Sequence, residues 1–409
     1  MTTLPVVQLI GNEVGRMVFQ LSEEHLRQIG AIHTTKEIYQ QPEVWIKIMN
    51  EIEVKKEEWD NFFAQIYNKH EKDTLRVIFT GAGTSAFIGD VLVPALNEQR
   101  HKNIRFEAIA TTDIVSNPMQ FLNSEEPTIL VSFARSGNSP ESVATIELAE
   151  KIIRHLYHIV ITCNKDGELA QKVKCDKNSL LVLLPDEVND RSFAMTSSFT
   201  SMLLVAYQLF SKKCSIESTY FFADYASQLL SEIDEVTEDI IKHNFERIVF
   251  LGSGSLGKLT REAALKMLEL TNGQVASVYE SSLGFRHGPK TFLNETTLVV
   301  LFISQNPYTK QYDIDILKEI ANGTFPVKIV ALSDSEDNLR KWADWVIAFN
   351  HNDKQLNKEI YFALLHTLFA QTLALKKSIQ LGITPDNPVT DGSVNRVVKG
   401  VTIYKWEDE

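Results

Sequence analysis

Two sets of five short apolar, β-branched runs follow one another along the chain, and the second repeats the spacing of the first. LRVIFTG (75–81), RFEAIA (105–110), TILVSFA (128–134), YHIVITC (157–163) and LLVLLP (180–185) form the first set. ERIVFLG (246–252), VASVYE (275–280), TLVVLFIS (297–304), VKIVALS (327–333) and DWVIAFN (344–350) form the second. Near-continuous hydrophobic strands separated by helical stretches belong to parallel sheets covered on both faces. The first strand of each set ends in a glycine turn, GAGTS at Gly81 and GSGSL at Gly252, an offset of 171 residues. The next three strands recur at that offset to within about two residues, and the fifth comes early. The pattern predicts a tandem duplication: two flavodoxin-like, three-layer α/β units, each with a five-stranded parallel sheet.

The remaining segments divide around these units. Residues 1–50 form an N-terminal helical segment, in which TTKEIYQQPEVWIKIMNEI reads as helix with Pro42 marking a start. Residues 51–215 hold the first unit. A polar connecting helix, roughly Ile216 to Lys242, opens the second, which runs over 216–385. Its last helix, KEIYFALLHTLFAQTLALKKSIQ, meets stop signals at Gly382 and Pro385. The tail, 386–409, is too rich in Pro, Gly, Asp and Asn to continue as helix.

Composition removes several classes of function. A net charge of −12 opposes nonspecific nucleic-acid binding, which needs a basic surface. It does not oppose an anionic substrate, because a phosphate is held by local N–H groups and hydroxyls. No apolar run approaches the ~18 residues of a membrane span, and no signal peptide is evident. Cys163, Cys175 and Cys214 show neither metal-ligand spacing nor an even count, which fits a reducing cytoplasm. Cys163 reads as a buried strand-end thiol, with a catalytic thiol as the alternative. Neither a metal nor an organic cofactor is expected.

Two loops carry the chemistry. GAGTS places Gly83, Thr84 and Ser85 between a strand and a helix, where small residues and unpaired N–H groups admit an anion. It lacks the third glycine of a dinucleotide fingerprint, and alone a tight turn would explain it. SFARSGNSPES (132–142) follows the third strand and packs Arg135, Ser136, Asn138 and Ser139 ahead of another helix. The first and third strands of a doubly wound sheet flank its ligand crevice, so the two loops together point to one phosphate.

These loops, with Gly81, Gly83, Thr84, Ser85, Ser136, Gly137 and Ser139, resemble the SIS (sugar isomerase) domain family over about residues 40 to 404. Double-domain members include the isomerase half of glucosamine-6-phosphate synthase. TTKEIYQQPEVW, SFARSGNSPESVA, DRSFAMTSSFTSM, GFRHGPKTF and NPVTDGSVNRVVKGVTIY look closer still to the AgaS-type galactosamine-6-phosphate deaminase/isomerases, also called tagatose-6-phosphate ketose/aldose isomerases.

The resemblance implies three catalytic residues. Glu269, in LTREAALKMLELT, matches the glutamate that moves a proton between the first two sugar carbons, with Glu262 on the same helix as the alternative. His287, in FRHGP, matches a histidine that assists ring opening and, in the synthase, reaches the neighbouring subunit's site. A homodimer sharing its active sites follows from that match. Lys399, in NRVVKGVTIY, matches a lysine that meets the open-chain carbonyl. Arg191, Thr196, Ser197 and Arg286 are expected on the sugar. Met195 stands where the synthase has a substrate-contacting serine.

In the second copy Pro307 and Tyr308 replace the small polar pair, so it is expected to supply catalytic groups, not a second phosphate site. The resemblance implies a deaminase/isomerase acting on a small phosphosugar, galactosamine 6-phosphate, to give tagatose 6-phosphate and ammonia. Isomerisation of tagatose 6-phosphate without deamination is the alternative. A non-catalytic phosphosugar-binding regulator is a third reading, against which the retained catalytic residues argue.

Overall fold

The computed structural model describes residues 21–212, 216–336, 338–349, 359–398 and 400–407. β1 (Leu75–Thr80), β2 (Ile104–Ala108), β3 (Thr128–Ala134), β4 (Leu156–Thr162) and β5 (Ser179–Leu183) form one parallel sheet in the order β2-β1-β3-β4-β5. β6 (Arg247–Gly252), β7 (Ala276–Ser281), β8 (Thr297–Phe302), β9 (Lys328–Ser333) and β10 (Trp345–Ala348) repeat that order in a second sheet, β7-β6-β8-β9-β10. All ten strands stand where the repeated apolar runs predict them, and the shared order confirms the duplication. Every residue of β1 and β3 is buried, because central strands meet protein on both faces. The edge strands β2 and β7 are only partly covered.

α1 (Glu23–Gln28), α2 (Ile32–Tyr39) and α3 (Gln41–Lys69) precede the first sheet. Within that sheet's connections lie α4 (Thr84–Glu98), α5 (Thr111–Ser116), α6 (Pro118–Phe121), α7 (Pro140–Ile152) and α8 (Glu168–Val173), and α9 (Ser197–Phe210) follows β5. α10 (Ile216–Ile241) joins the units; α11 (Gly254–Leu270), α12 (Pro307–Ala321) and α13 (Glu359–Gln380) belong to the second. The stretch expected as one helix around Pro42 is broken at Gln40. Pro42 has no N–H to continue the helical ladder, and the Gln41 side-chain amide donates to the Ile38 carbonyl instead, at 3.1 Å.

The two units share one hydrophobic core, in which Trp45, Phe79 and Phe210 of the first half are continuous with Phe250, Phe302 and Tyr361 of the second. α13 is buried from Ile360 to Ser378, packed among α2, α4, α9, α10 and α11. α4 and α11, the helix after the first strand of each sheet, also pack on each other. No helix among the described residues is long and apolar enough to cross a membrane.

Candidate active site

Strand pairing brings the two predicted loops together. Thr80 at the end of β1 lies beside Ser132 of β3, and the chain leaves these neighbours into α4 and α7 at the point where sheet order reverses. A cleft of about 240 Å³ opens there, lined by Gly83, Thr84, Ser85, Arg135, Ser136 and Ser139. Glu269, from the second unit, and Val394–Val398, from the tail, complete the wall. Neither α4 nor α7 is capped by a side chain at its start. Gly83 adopts φ +56°, and a Cβ there would project into open space. Uncapped helix starts with adjacent hydroxyls form a cradle for an anion.

The second unit provides an internal comparison. Its equivalent helix starts are both satisfied from within: Asn306 caps α12, and Glu359 accepts from the Ser255 amide of α11 at 3.2 Å. Gly254 repeats the left-handed turn at φ +58°, but a Cβ there would meet a Glu359 carboxylate oxygen at 3.1 Å. Asp313 accepts from Ser253, Ser282 and the Ser304 amide in the same region. Burial holds the carboxyls of both Glu359 and Asp313 above the ordinary range. The chain's own carboxylates therefore occupy the second cradle. Among the described residues no side chain caps the α4 or α7 start in the first.

Cations converge on the first cleft despite the acidic chain. Arg135 is buried, and its guanidinium donates to the carbonyls of Ser192, Phe193 and Arg396. Burial, together with the nearby Arg396, lowers its pKa. Arg396 in turn donates to the carbonyls of Asp190 and Ser192. On α11, Lys266 is ion-paired with Glu269 and, at 3.3 Å, with Glu262. It also donates to the Thr84 hydroxyl at 3.0 Å. Burial alone would depress the Lys266 ammonium, but the two glutamates outweigh it and raise it. Burial pushes Glu262 up to about 7. Glu262 is enclosed, whereas Glu269 faces the cleft, which favours Glu269 over the alternative on that helix.

Other expected residues stand elsewhere. The Asn138 side chain accepts from the Glu168 amide at the start of α8 and does not line the cleft. Thr196 and Ser197, expected on the sugar, are buried, and the Asp190 carboxylate accepts from both of their amides and from the Thr196 hydroxyl. The Ser197 hydroxyl donates to the Glu37 carbonyl. These hydroxyls are absorbed by an internally capped helix start. Arg191 is exposed and faces a separate hollow bordered by Arg27, Lys36 and Glu187. Arg286 is ion-paired with Asp315 and Glu319 of α12, away from the cleft. His287 is exposed and does not line this cleft either. Lys399 lies outside the described residues. Cys163 is buried just beyond β4, its thiol pushed up by burial.

Sequence reasoning missed Lys266 and Arg396. The first could have been found from Glu262, Lys266 and Glu269, which share one helix face at spacings of four and three. Arg396 sits in the tail motif that was read for its lysine.

A duplicated doubly wound fold, with an uncapped anion cradle and a carboxylate from the opposite half beside it, defines an anion-binding α/β architecture. Residues 71–212 and 240–377 each match the SIS domain, and the chain belongs to that family. It is 41% identical over 376 residues to the D-galactosamine-6-phosphate deaminase AgaS of Escherichia coli, spanning 91% of this chain and 96% of that one. A solved structure from Clostridium novyi NT, provisionally named a tagatose-6-phosphate ketose/aldose isomerase, is similar with a TM-score of 0.91 and 40% identity. The match covers 96% of this chain and 100% of that one. The tagatose-6-phosphate ketose/aldose isomerase of Escherichia coli gives 0.83 and 38%, covering 92% and 97%.

Proposed function

We propose that the chain is an amino-sugar phosphate deaminase/isomerase that converts galactosamine 6-phosphate and water to tagatose 6-phosphate and ammonia. The observation that carries this reading is the convergence of Glu269 on the cradle where the α4 and α7 starts are left uncapped. The family relationship and the named relatives support the same substrate class.

In this reading the α4 and α7 starts, with Thr84, Ser85, Ser136 and Ser139, hold the phosphate. Arg135 and Arg396 add positive potential to a wall that also holds Phe133, Phe193 and Met195. Once the ring is open, Glu269 removes the proton from carbon 2 and returns it to carbon 1. The resulting carbon–nitrogen double bond at carbon 2 takes up water and releases ammonia. Lys266 holds the Glu269 carboxylate in place through the ion pair. Lys399, which follows Val398 in the chain, acts at the carbonyl end.

Ring opening falls to His287 of a second copy in a homodimer. Its exposure, and the exposed Leu268, Tyr279 and Leu283 on α11, β7 and the turn between β7 and His287, suit a subunit contact. A reducing, cytoplasmic setting is consistent with the free thiols Cys163 and Cys175.

Purified protein incubated with galactosamine 6-phosphate tests the proposal, with ammonia and ketose phosphate measured together. Equal amounts of both are expected. No ammonia from galactosamine 6-phosphate, with interconversion of tagatose 6-phosphate and its nitrogen-free aldose in a parallel assay, would replace the deaminase with the simpler isomerase, and binding without turnover of either would leave a regulator.

A further inference from the structure

The motif TTKEIYQQPEVW takes no part in the chemistry above and lies outside both SIS matches, yet its buried polar groups lead to the cleft wall. At the start of α2, the Asp386 carboxylate accepts from the Thr34 amide at 2.7 Å, the Thr34 hydroxyl at 2.8 Å and the His33 amide at 3.1 Å. The Asp386 amide donates to the Gly30 carbonyl, and its own carbonyl accepts from the Phe193 amide at 3.1 Å. One turn further along α2, the buried Glu37 carboxylate accepts from the Arg191 amide at 2.5 Å, and from the Ser192 amide and hydroxyl. The backbone held in this way offers its Ser192 and Phe193 carbonyls to Arg135, and the Ser192 carbonyl to Arg396.

A carboxyl group that accepts donors from two adjacent residues fixes their orientation, and Glu37 does so although burial and the neighbouring Asp190 push it up to about 7. Phe193, Arg135 and Arg396 all line the cleft. The chain of contacts thus runs from α2, through two carboxylates, to the two cations beside the phosphate cradle.

We infer that α2 is a strut of the active site, in which Glu37 and Asp386 are positioning residues that set Arg135 and Arg396 for the sugar phosphate. The inference rests on the reading of the cleft as a phosphosugar site. It also explains why the AgaS-like motifs around Glu37, Asp190 and Arg396 occur together in one chain: they form one bonded unit.

Glu37→Gln and Asp386→Asn keep shape but replace one acceptor oxygen by an NH₂. In Glu37→Gln an amide NH₂ can also face the Arg191 and Ser192 N–H groups. The KM for galactosamine 6-phosphate is expected to rise about tenfold, with a smaller change in kcat, as the two arginines lose their aim. Hydrogen exchange in the ligand-free protein should show lost protection at the amides of residues 191–193. Thr34→Val, which removes one donor to Asp386, should shift KM the same way by less, and it decides the matter if the carboxylate variants do not fold. KM does not depend on the folded fraction, so a lowered melting temperature with unchanged KM would overturn the inference. So would undiminished protection at 191–193. If the wild type does not turn over this sugar, the functional reading fails, whereas the exchange experiment still tests the strut.

Discussion

Lys266, on the helix after the first strand of the second sheet, donates to the hydroxyl of Thr84, on the helix after the first strand of the first sheet, at 3.0 Å. The same ammonium is paired with Glu262 and Glu269, so one buried cation links the phosphate cradle to the proposed proton-transfer carboxylate. Lys266→Met would leave Glu262, itself 1% exposed, as an unpaired buried acid. Breaking a buried pair from one side costs about 3–5 kcal/mol when the remaining group stays charged; Glu262, whose carboxyl burial already pushes up to about 7, can instead take up a proton. Thermal or chemical denaturation should show a loss below that figure, and turnover should fall with it.

Glu269→Gln isolates the proton transfer. Loss of a positioned acid/base group reduces turnover by about 10²–10⁴-fold. The phosphate cradle is untouched by this change, so calorimetric titration should find phosphosugar binding within about threefold of wild type. Full turnover in this variant would remove Glu269 from the mechanism.

Sharing of the site between subunits can be read by complementation. Glu269→Gln and His287→Ala homodimers should each be nearly inactive. Mixed and allowed to exchange subunits, they should recover about a quarter of wild-type activity, because half the dimers are hybrids with one intact site of two. No recovery, with exchange verified, would place His287 in the site of its own chain or outside the chemistry.

The Glu262 carboxyl gives a signed pH effect. Its folded pKa is pushed up to about 7, by burial first, from an ordinary 4.5. Between those values the unfolded chain has released a proton that the folded chain retains, so stability from this group falls as pH rises through the window. Glu262→Gln has no proton to lose. Its melting temperature relative to wild type should therefore climb from about pH 5 to pH 8; a constant difference would contradict the buried protonated form.

The second cradle predicts stoichiometry. With Glu359 and Asp313 at its helix starts, the wild type should bind one phosphosugar per chain. The double variant Glu359→Ala/Asp313→Ala should acquire a second, weak site for inorganic phosphate, seen by titration.

The strands were legible because a buried parallel strand must be apolar throughout, and the repeat doubled that signal. The two hydroxyl loops were legible for a similar reason: Gly83 takes a left-handed turn and the Ser136 hydroxyl accepts from the Asn138 amide two residues on, so the pattern is local. Thr196 and Ser197 were misread because a hydroxyl-rich helix start looks the same whether it meets a ligand or, as here, Asp190. The resemblance implies Arg286 on the sugar, whereas its partners, Asp315 and Glu319, are supplied by a later helix. The roles of Arg135 and Arg396 as mutual supports depend on a contact across 261 residues, which no local pattern records.

The placement of α13 has a consequence for dissecting the protein. Its sequence belongs to the second half, but its buried surface is shared with α2, α4 and α9 of the first. Neither half could be expressed alone without baring an apolar trench, and each would be expected to aggregate. The duplication has thus passed from two repeats side by side to a single folding unit, in which one copy keeps its anion cradle open while the other fills its own with carboxylates.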